Sequence, residues 1–162
     1  RAWVFGEDHG QRADIKGVDL SGINFSGGLL IGAHLQKAIA KGCSFHKADM
    51  SYLDASGADF TGADLSYADL SKSTLTGAIF SDANLNGVIG NGKEIVSITT
   101  ERWPVAYTAT HMQIGWERHP IDDWWKLSDE EISKIGTKAV AWWGKWKKIL
   151  QSAIENKPAI AA

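Results

Sequence analysis

The stretch ADFTGADLSYADLSK, residues 58–72, is one five-residue phrase written three times. A period of five matches neither the 3.6 of a helix nor the two of a strand. Working outward, the phrase runs in frame and without insertion from Ala13 to Gly87: ADIKG VDLSG INFSG GLLIG AHLQK AIAKG CSFHK ADMSY LDASG ADFTG ADLSY ADLSK STLTG AIFSD ANLNG, fifteen units in all. The third position is apolar in every unit, and the first is small in most. The second, fourth and fifth are mostly Asp, Asn, Ser, Thr, Lys or Gly. Two inward positions in five suit a chain that turns a corner after each short extended segment, so that successive segments become the sides of a coil stacked on the next.

The A-(D/N)-(L/F)-x-G phrase resembles the pentapeptide-repeat family, and the match covers 75 of 162 residues. The resemblance implies a mainly β fold: a right-handed, four-sided parallel β-helix with one repeat per side and twenty residues per coil. Fifteen units then make about 3.75 coils, a rod about 18 Å long at the strand spacing of a sheet. Positions twenty apart stack. One interior column reads Leu20, Ala40, Phe60, Phe80 and another Ile15, Leu35, Ala55, Leu75, each with a single small residue beside bulky neighbours. Phe45 and Phe60 are placed to fill the space beside Ala40.

A rod this short exposes both ends, and each end presents unpaired backbone and uncovered apolar interior. Residues 1–12 are expected to cap the first coil through Trp3 and Phe5, residues 13–87 to form the β-helix, and residues 88–162 to form a capping α+β unit. That last unit holds seven of the eight tryptophans. In it, KEIVSITT (93–100) and PVAYTATHMQIGW (104–116) read as a hairpin or short strand pair. Ser128 and Glu131 form a capping box, and the apolar spacing from Ile132 to Ile154 predicts one amphipathic helix from about Asp129 to about Glu155.

Composition narrows the function. The chain is 44% hydrophobic with a formal net charge of −2, enough apolar material for a core and no charge excess that would recommend nucleic acid or an anionic membrane. No stretch approaches a membrane span. RAWVFGEDHG, at the start, holds no apolar run of signal-peptide length. The lone Cys43 sits at a small inward position, where it is expected to be buried and inert, and it fits a reducing cytoplasm. No P-loop, G-x-S-x-G or G-x-G-x-x-G is present. His111, Glu117 and His119 lie within nine residues but match no metal-ligand spacing. No enzyme activity, cofactor or metal is expected.

The repeat, with eight Asp against five Lys, carries a net charge of −3, and Asp49, Asp54, Asp59, Asp64 and Asp69 occupy the second position of five consecutive units. Consecutive units lie on consecutive sides, so these carboxylates form a belt and not a stripe. The family resemblance implies one use for acidity, since some pentapeptide-repeat proteins associated with quinolone resistance imitate double-stranded DNA and bind type II topoisomerases. A DNA-mimic inhibitor of a DNA-binding enzyme, of topoisomerase or nuclease type, is therefore the alternative reading. The plainer one is that the aspartates bond to local backbone amides.

Residues that break the repeat's own grammar point more sharply to contact. Leu29, Ile39 and Ile79 stand at polar second positions, with Asp59 between the last two, Ile31 stands at a fourth, and Tyr52 and Tyr67 stand at fifth positions. Trp124, Trp125, Trp142, Trp143 and Trp146 lie on neighbouring helical segments, and adjacent tryptophans cannot share one helix face. One face is expected to cover the open end of the β-helix and the other to meet a partner or, through the C-terminal helix, a second copy of the chain. The phrases NGKEI, QIG, RH, DDWW, SDEEI and AWWGKWKKIL are similar to the C-terminal part of pentapeptide-repeat proteins encoded by bacteriophages and prophages. That resemblance implies a cytoplasmic, non-enzymatic protein that binds and modulates an unidentified host bacterial protein, without direct nucleic-acid or membrane binding.

Overall fold

The computed structural model describes residues 12–161; Trp3 and Phe5, expected to cap the first coil, lie outside the described residues. From Asp14 onward the chain pairs with itself twenty residues ahead. Parallel bridges join Asp14 to His34, Asp19 to Ile39, Asn24 to Ser44 and Leu29 to Asp49, and the series continues to Asp69 with Ile89. Each bridge is held from both sides. Leu35 N–H donates to Asp54 O at 2.7 Å, and Asp54 N–H donates to Ala33 O at 3.0 Å. Between bridges the chain turns, as where Ala38 N–H donates back to Leu35 O at 3.0 Å.

Why the repeat needs five residues follows from these contacts. Two extended residues carry the ladder, the first and third side chains point inward, and a residue of positive φ closes each corner. Most corners use glycine, which takes that conformation without steric cost. Six in the repeat do not: Lys37, Lys47, Tyr52, Tyr67, Lys72 and Asp82 adopt φ between 55° and 58°. Inside, the column positions are sealed: Leu35, Ala40, Phe45, Met50, Ala55 and Phe60 have no solvent exposure. Phe45 and Phe60, the rings flanking Ala40, meet edge to face at 5.8 Å, and Phe60 stacks on Phe80 at 5.4 Å. Cys43 is buried, its thiol donates to Leu20 O at 2.9 Å, and burial pushes its pKa up.

After Ile89 the chain builds a different unit. Four short strands, β1 (Val96–Ile98), β2 (Val105–Tyr107), β3 (His111–Ile114) and β4 (Glu117–Pro120), form an antiparallel sheet in sequence order. This corrects the expected strand pair: residues 104–116 hold two strands, because the chain reverses at Thr108, whose N–H donates to His111 O at 2.9 Å. Three helices follow: α1 (Ile121–Trp124), α2 (Asp129–Ser133) and α3 (Ala139–Asn156). The single helix expected from Asp129 to Glu155 is therefore two. Its Ser128–Glu131 capping box is present, but Gly136 takes φ 148° and Lys138 φ 70°, and neither continues a right-handed helix. Ile132, Ile135 and Ala139 are all buried across the break, so the apolar spacing persists where the backbone does not.

Candidate contact site at the rod–sheet junction

The last winding of the ladder leaves polar main-chain groups with no further winding to pair them. One cross-strand row of the sheet meets them: Ser97 faces Ala106, Ala106 faces Gln113, and Gln113 faces Arg118. Ser97 Oγ donates to Val88 O at 2.7 Å. Ala106 joins the rod's apolar core together with Ile95. Gln113, only 4% exposed, accepts Leu85 N–H at 2.7 Å and donates to Asn84 Oδ1 at 2.8 Å. Arg118 reaches Phe80 O at 3.5 Å and Asp82 at 3.4 Å. Strand alternation explains the division, since the opposite face of the sheet carries Val96, Val105, Tyr107, Met112 and Ile114 into a second core with the helices.

That arrangement corrects the role expected of the tryptophans. Trp124, Trp142 and Trp143 are 0%, 5% and 4% exposed, in the core between sheet and helices rather than over the rod's end. Trp124 Nε1–H donates to Met112 O at 2.7 Å. Its ring meets Trp143 at 5.7 Å, and Trp125 stacks on Trp143 at 5.9 Å. Trp142 packs against Trp103 and Trp146. Trp125 and Trp146 remain half-buried, and Trp146 Nε1–H bonds the Glu101 carboxylate, which also takes Lys145 at 2.7 Å. Those two donors, Lys145 first, hold the Glu101 carboxyl down at about 2. An adjacent Trp pair on α3 is accommodated because the core wraps both its sides; Ile149 of that helix stays exposed.

Of the residues outside the repeat grammar, Leu29, Ile39, Tyr52, Tyr67 and Ile79 are exposed and Ile31 is half-buried, and two of them meet the sheet unit. Ile79 (46% exposed) lines a groove of about 480 Å³ together with Asp82, His111, Arg118 and Ile160. His111 is held below its ordinary pKa by burial and by the nearby Arg118. Tyr67 (51% exposed) lines a second groove, of about 550 Å³, along β1 with Ile89, Ile98, Arg102 and Lys157. The Tyr67 ring meets His46 edge-on at 5.8 Å and covers Gly87, where an added Cβ would fall 2.6 Å from ring carbons. Ile39 lies further along the rod, above the Asp59–Lys41 ion pair of 3.1 Å on the same side. Tyr52 receives the Lys72 ammonium, which donates to its hydroxyl at 2.6 Å.

Each carboxylate of the acidic belt serves its own turn. Asp49, Asp54, Asp59, Asp64 and Asp69 accept, through Oδ1, the N–H of the residue two places on, at 2.8 to 3.1 Å. Burial acts to raise Asp54 and Asp59, but the hydrogen bonds they accept, from Ser56 and Gln36 for Asp54 and from Thr61 and Lys41 for Asp59, together hold both below the usual carboxylate range. Asn24 and Asn84 make the same bond without charge. The His111, Glu117 and His119 cluster is split by strand alternation: Glu117 and His119 share one face, His119 against Trp124, while His111 points to the rod side. Among the described residues no group of three His, Cys, Asp or Glu side chains could hold a metal. No helix among the described residues is long and apolar enough to cross a membrane.

Sequence reasoning missed Gln113 and Ser97. Their only signal was a polar residue alternating with apolar ones in a strand, which ordinarily marks a solvent face.

The family described as Pentapeptide repeats matches residues 29–66 and 56–89, in eight copies. No curated protein matches the chain. Among solved structures, HetL, a pentapeptide repeat protein involved in heterocyst differentiation regulation from the cyanobacterium Nostoc sp. strain PCC 7120, is 34% identical over 52% of this chain and 44% of its own, with a TM-score of 0.36. A pentapeptide repeat protein of the Arabidopsis thaliana thylakoid lumen is 36% identical over 46% of this chain and 55% of its own, with a TM-score of 0.28. QnrB1, a plasmid-mediated fluoroquinolone resistance protein, is 22% identical over 50% of this chain and 68% of its own, with a TM-score of 0.16. The chain spans about half the length of the first two.

Proposed function

We propose that this chain, whose residues 29–89 belong to the pentapeptide-repeat family, is a non-enzymatic protein-binding module built on a right-handed four-sided β-helix. Repeats of this family generally serve as structural or binding modules. Residues 13–87 form the β-helix in this reading, and the chain from residue 88 onward forms a cap on it and part of its contact surface. The observation that carries the reading is the position of Tyr67 and Ile79. Both break the repeat grammar with exposed apolar surface, and each lines a groove where the rod meets the sheet unit. Exposed apolar residues gathered at concave junctions are the usual ground for protein contact. Ile39 continues the side of Ile79 along the rod and Tyr52 is exposed on another side, while Trp124, Trp142 and Trp143 hold the sheet unit together behind the grooves. The partner we propose is a host bacterial protein, on the resemblance to phage and prophage proteins read in the phrases of the tail. An acidic DNA-mimic surface is the weaker reading, because each belt carboxylate is tied to its own turn.

Affinity capture from bacterial lysate tests it, comparing the native chain with a Tyr67→Ser/Ile79→Ser variant of unchanged circular dichroism. One stoichiometric protein held by the native chain and lost from the variant is the expected result. Capture of nothing by either form, or of the same protein by both, would overturn the assigned surface.

A further inference from the structure

The two junction grooves differ in charge, and that difference identifies what the second one takes. The first mixes Asp82 and Glu94 with Arg118. The second, along β1, has Arg102 and Lys157 as its only charged lining residues. Neither cation forms an ion pair with a carboxylate among the described residues. The Arg102 guanidinium lies over the Trp103 ring, 4.9 Å from its centre, which fixes the charge without neutralising it.

The same groove follows the outer side of an edge strand. β1 is the first strand of the sheet and pairs with β2 alone. An antiparallel partner uses only alternate main-chain groups of a strand, so the others point away from it. Among the described residues, residues 96–100 make no main-chain hydrogen bond outside the sheet. Apolar surface flanks this open edge in Tyr67 and Ile89, 51% and 53% exposed.

We propose that the edge of β1 takes up an extended acidic peptide segment of a partner protein. The segment pairs main chain to main chain along residues 96–100, sets its carboxylates toward Arg102 and Lys157, and lays an apolar side chain against Tyr67 and Ile89. This rests on the protein-binding reading above and names the chemistry of the partner. A second copy of the chain fits less well, because pairing two β1 edges would bring like charges together.

The test titrates the whole chain with Ac-Glu-Val-Glu-Val-Glu-NH2, with its Lys-for-Glu counterpart, and with the acidic peptide N-methylated at both valines, reading backbone amide shifts by NMR. The acidic peptide is expected to shift the amides of residues 96–100, the other two to bind more weakly. Arg102→Ser with Lys157→Ser should weaken the acidic peptide about fivefold, the size of two exposed ion pairs. Equal binding of the acidic and basic peptides, undiminished binding of the N-methylated one, or shifts away from β1 would overturn the proposal. So would concentration-dependent broadening of the same amides without peptide, which would give the edge to a second copy. A captured partner whose affinity is unchanged by Arg102→Ser/Lys157→Ser would overturn the edge assignment while leaving the protein-binding reading standing.

Discussion

The side-chain oxygen of Gln113 accepts the main-chain N–H of Leu85 at 2.7 Å, so that one glutamine replaces the winding that would otherwise have paired that group. Its amide also donates to Asn84 and to Gly115 O. Gln113→Leu leaves the buried Leu85 N–H without an acceptor. A loss of about 1–3 kcal/mol by urea denaturation is expected, together with faster hydrogen exchange at Leu85. Unchanged exchange there would mean that the rod's end does not depend on this contact.

Asp69 accepts the Ser71 N–H at 2.8 Å within its own turn. Because Asn24 and Asn84 fill the same role elsewhere, Asp69→Asn should change stability by less than about 0.5 kcal/mol, while Asp69→Ala should cost about 1 kcal/mol. Thermal and urea melts of the pair decide the point; an equal cost for both would show that the charge matters and not the hydrogen bond.

Lys47 closes a corner at φ 57°, where a Cβ crowds the following carbonyl. Lys47→Gly removes that strain but frees the unfolded chain, so the expected net gain is about 0.5–1 kcal/mol in denaturant melts. A loss would imply that Lys47 makes a compensating contact.

Glu101 is held down to about 2 by Lys145 and Trp146. A folded value below the ordinary 4.5 contributes stability that is present above that pH and fades as the pH falls through about 2. Side-chain NMR titration should find the low midpoint, and Lys145→Met should raise it. A native midpoint near the ordinary value would dissolve the ion pair between α3 and the β1–β2 loop.

Trp124 and Trp142 are both buried, but only Trp124 donates its indole N–H, to Met112 O. The Trp142 N–H has no partner among the described residues. Trp124→Phe should therefore cost about 1 kcal/mol more than Trp142→Phe, compared by guanidinium denaturation. The reverse order would place an unseen acceptor at Trp142.

The repeat was legible because its information is local. Each five-residue phrase carries its own inward pair, its own turn acceptor and its own corner residue, so the twenty-residue pairing from Asp14 to Ile89 is written in the period. Cys43 at an inward position and the belt aspartates on their turns could be read the same way. The tail was read less well, because it is a set of long-range choices. Apolar spacing ran through Gly136 and Lys138 without marking the backbone break, and the reversal at Thr108 lies inside a stretch whose composition is uniformly strand-like.

By itself, the sequence determined the winding, its inward columns and its exposed exceptions, Ile39, Tyr52, Tyr67 and Ile79. Only the tertiary structure decided that a polar row, Ser97 to Arg118, closes the rod while the tryptophans face the other way. The physical reason is that an exposed end of a ladder demands hydrogen bonds before it demands apolar cover, and buried polar groups left unpaired cost more than exposed ring surface. Which strand face meets that demand depends on register across four strands, and register is a property of the assembled sheet.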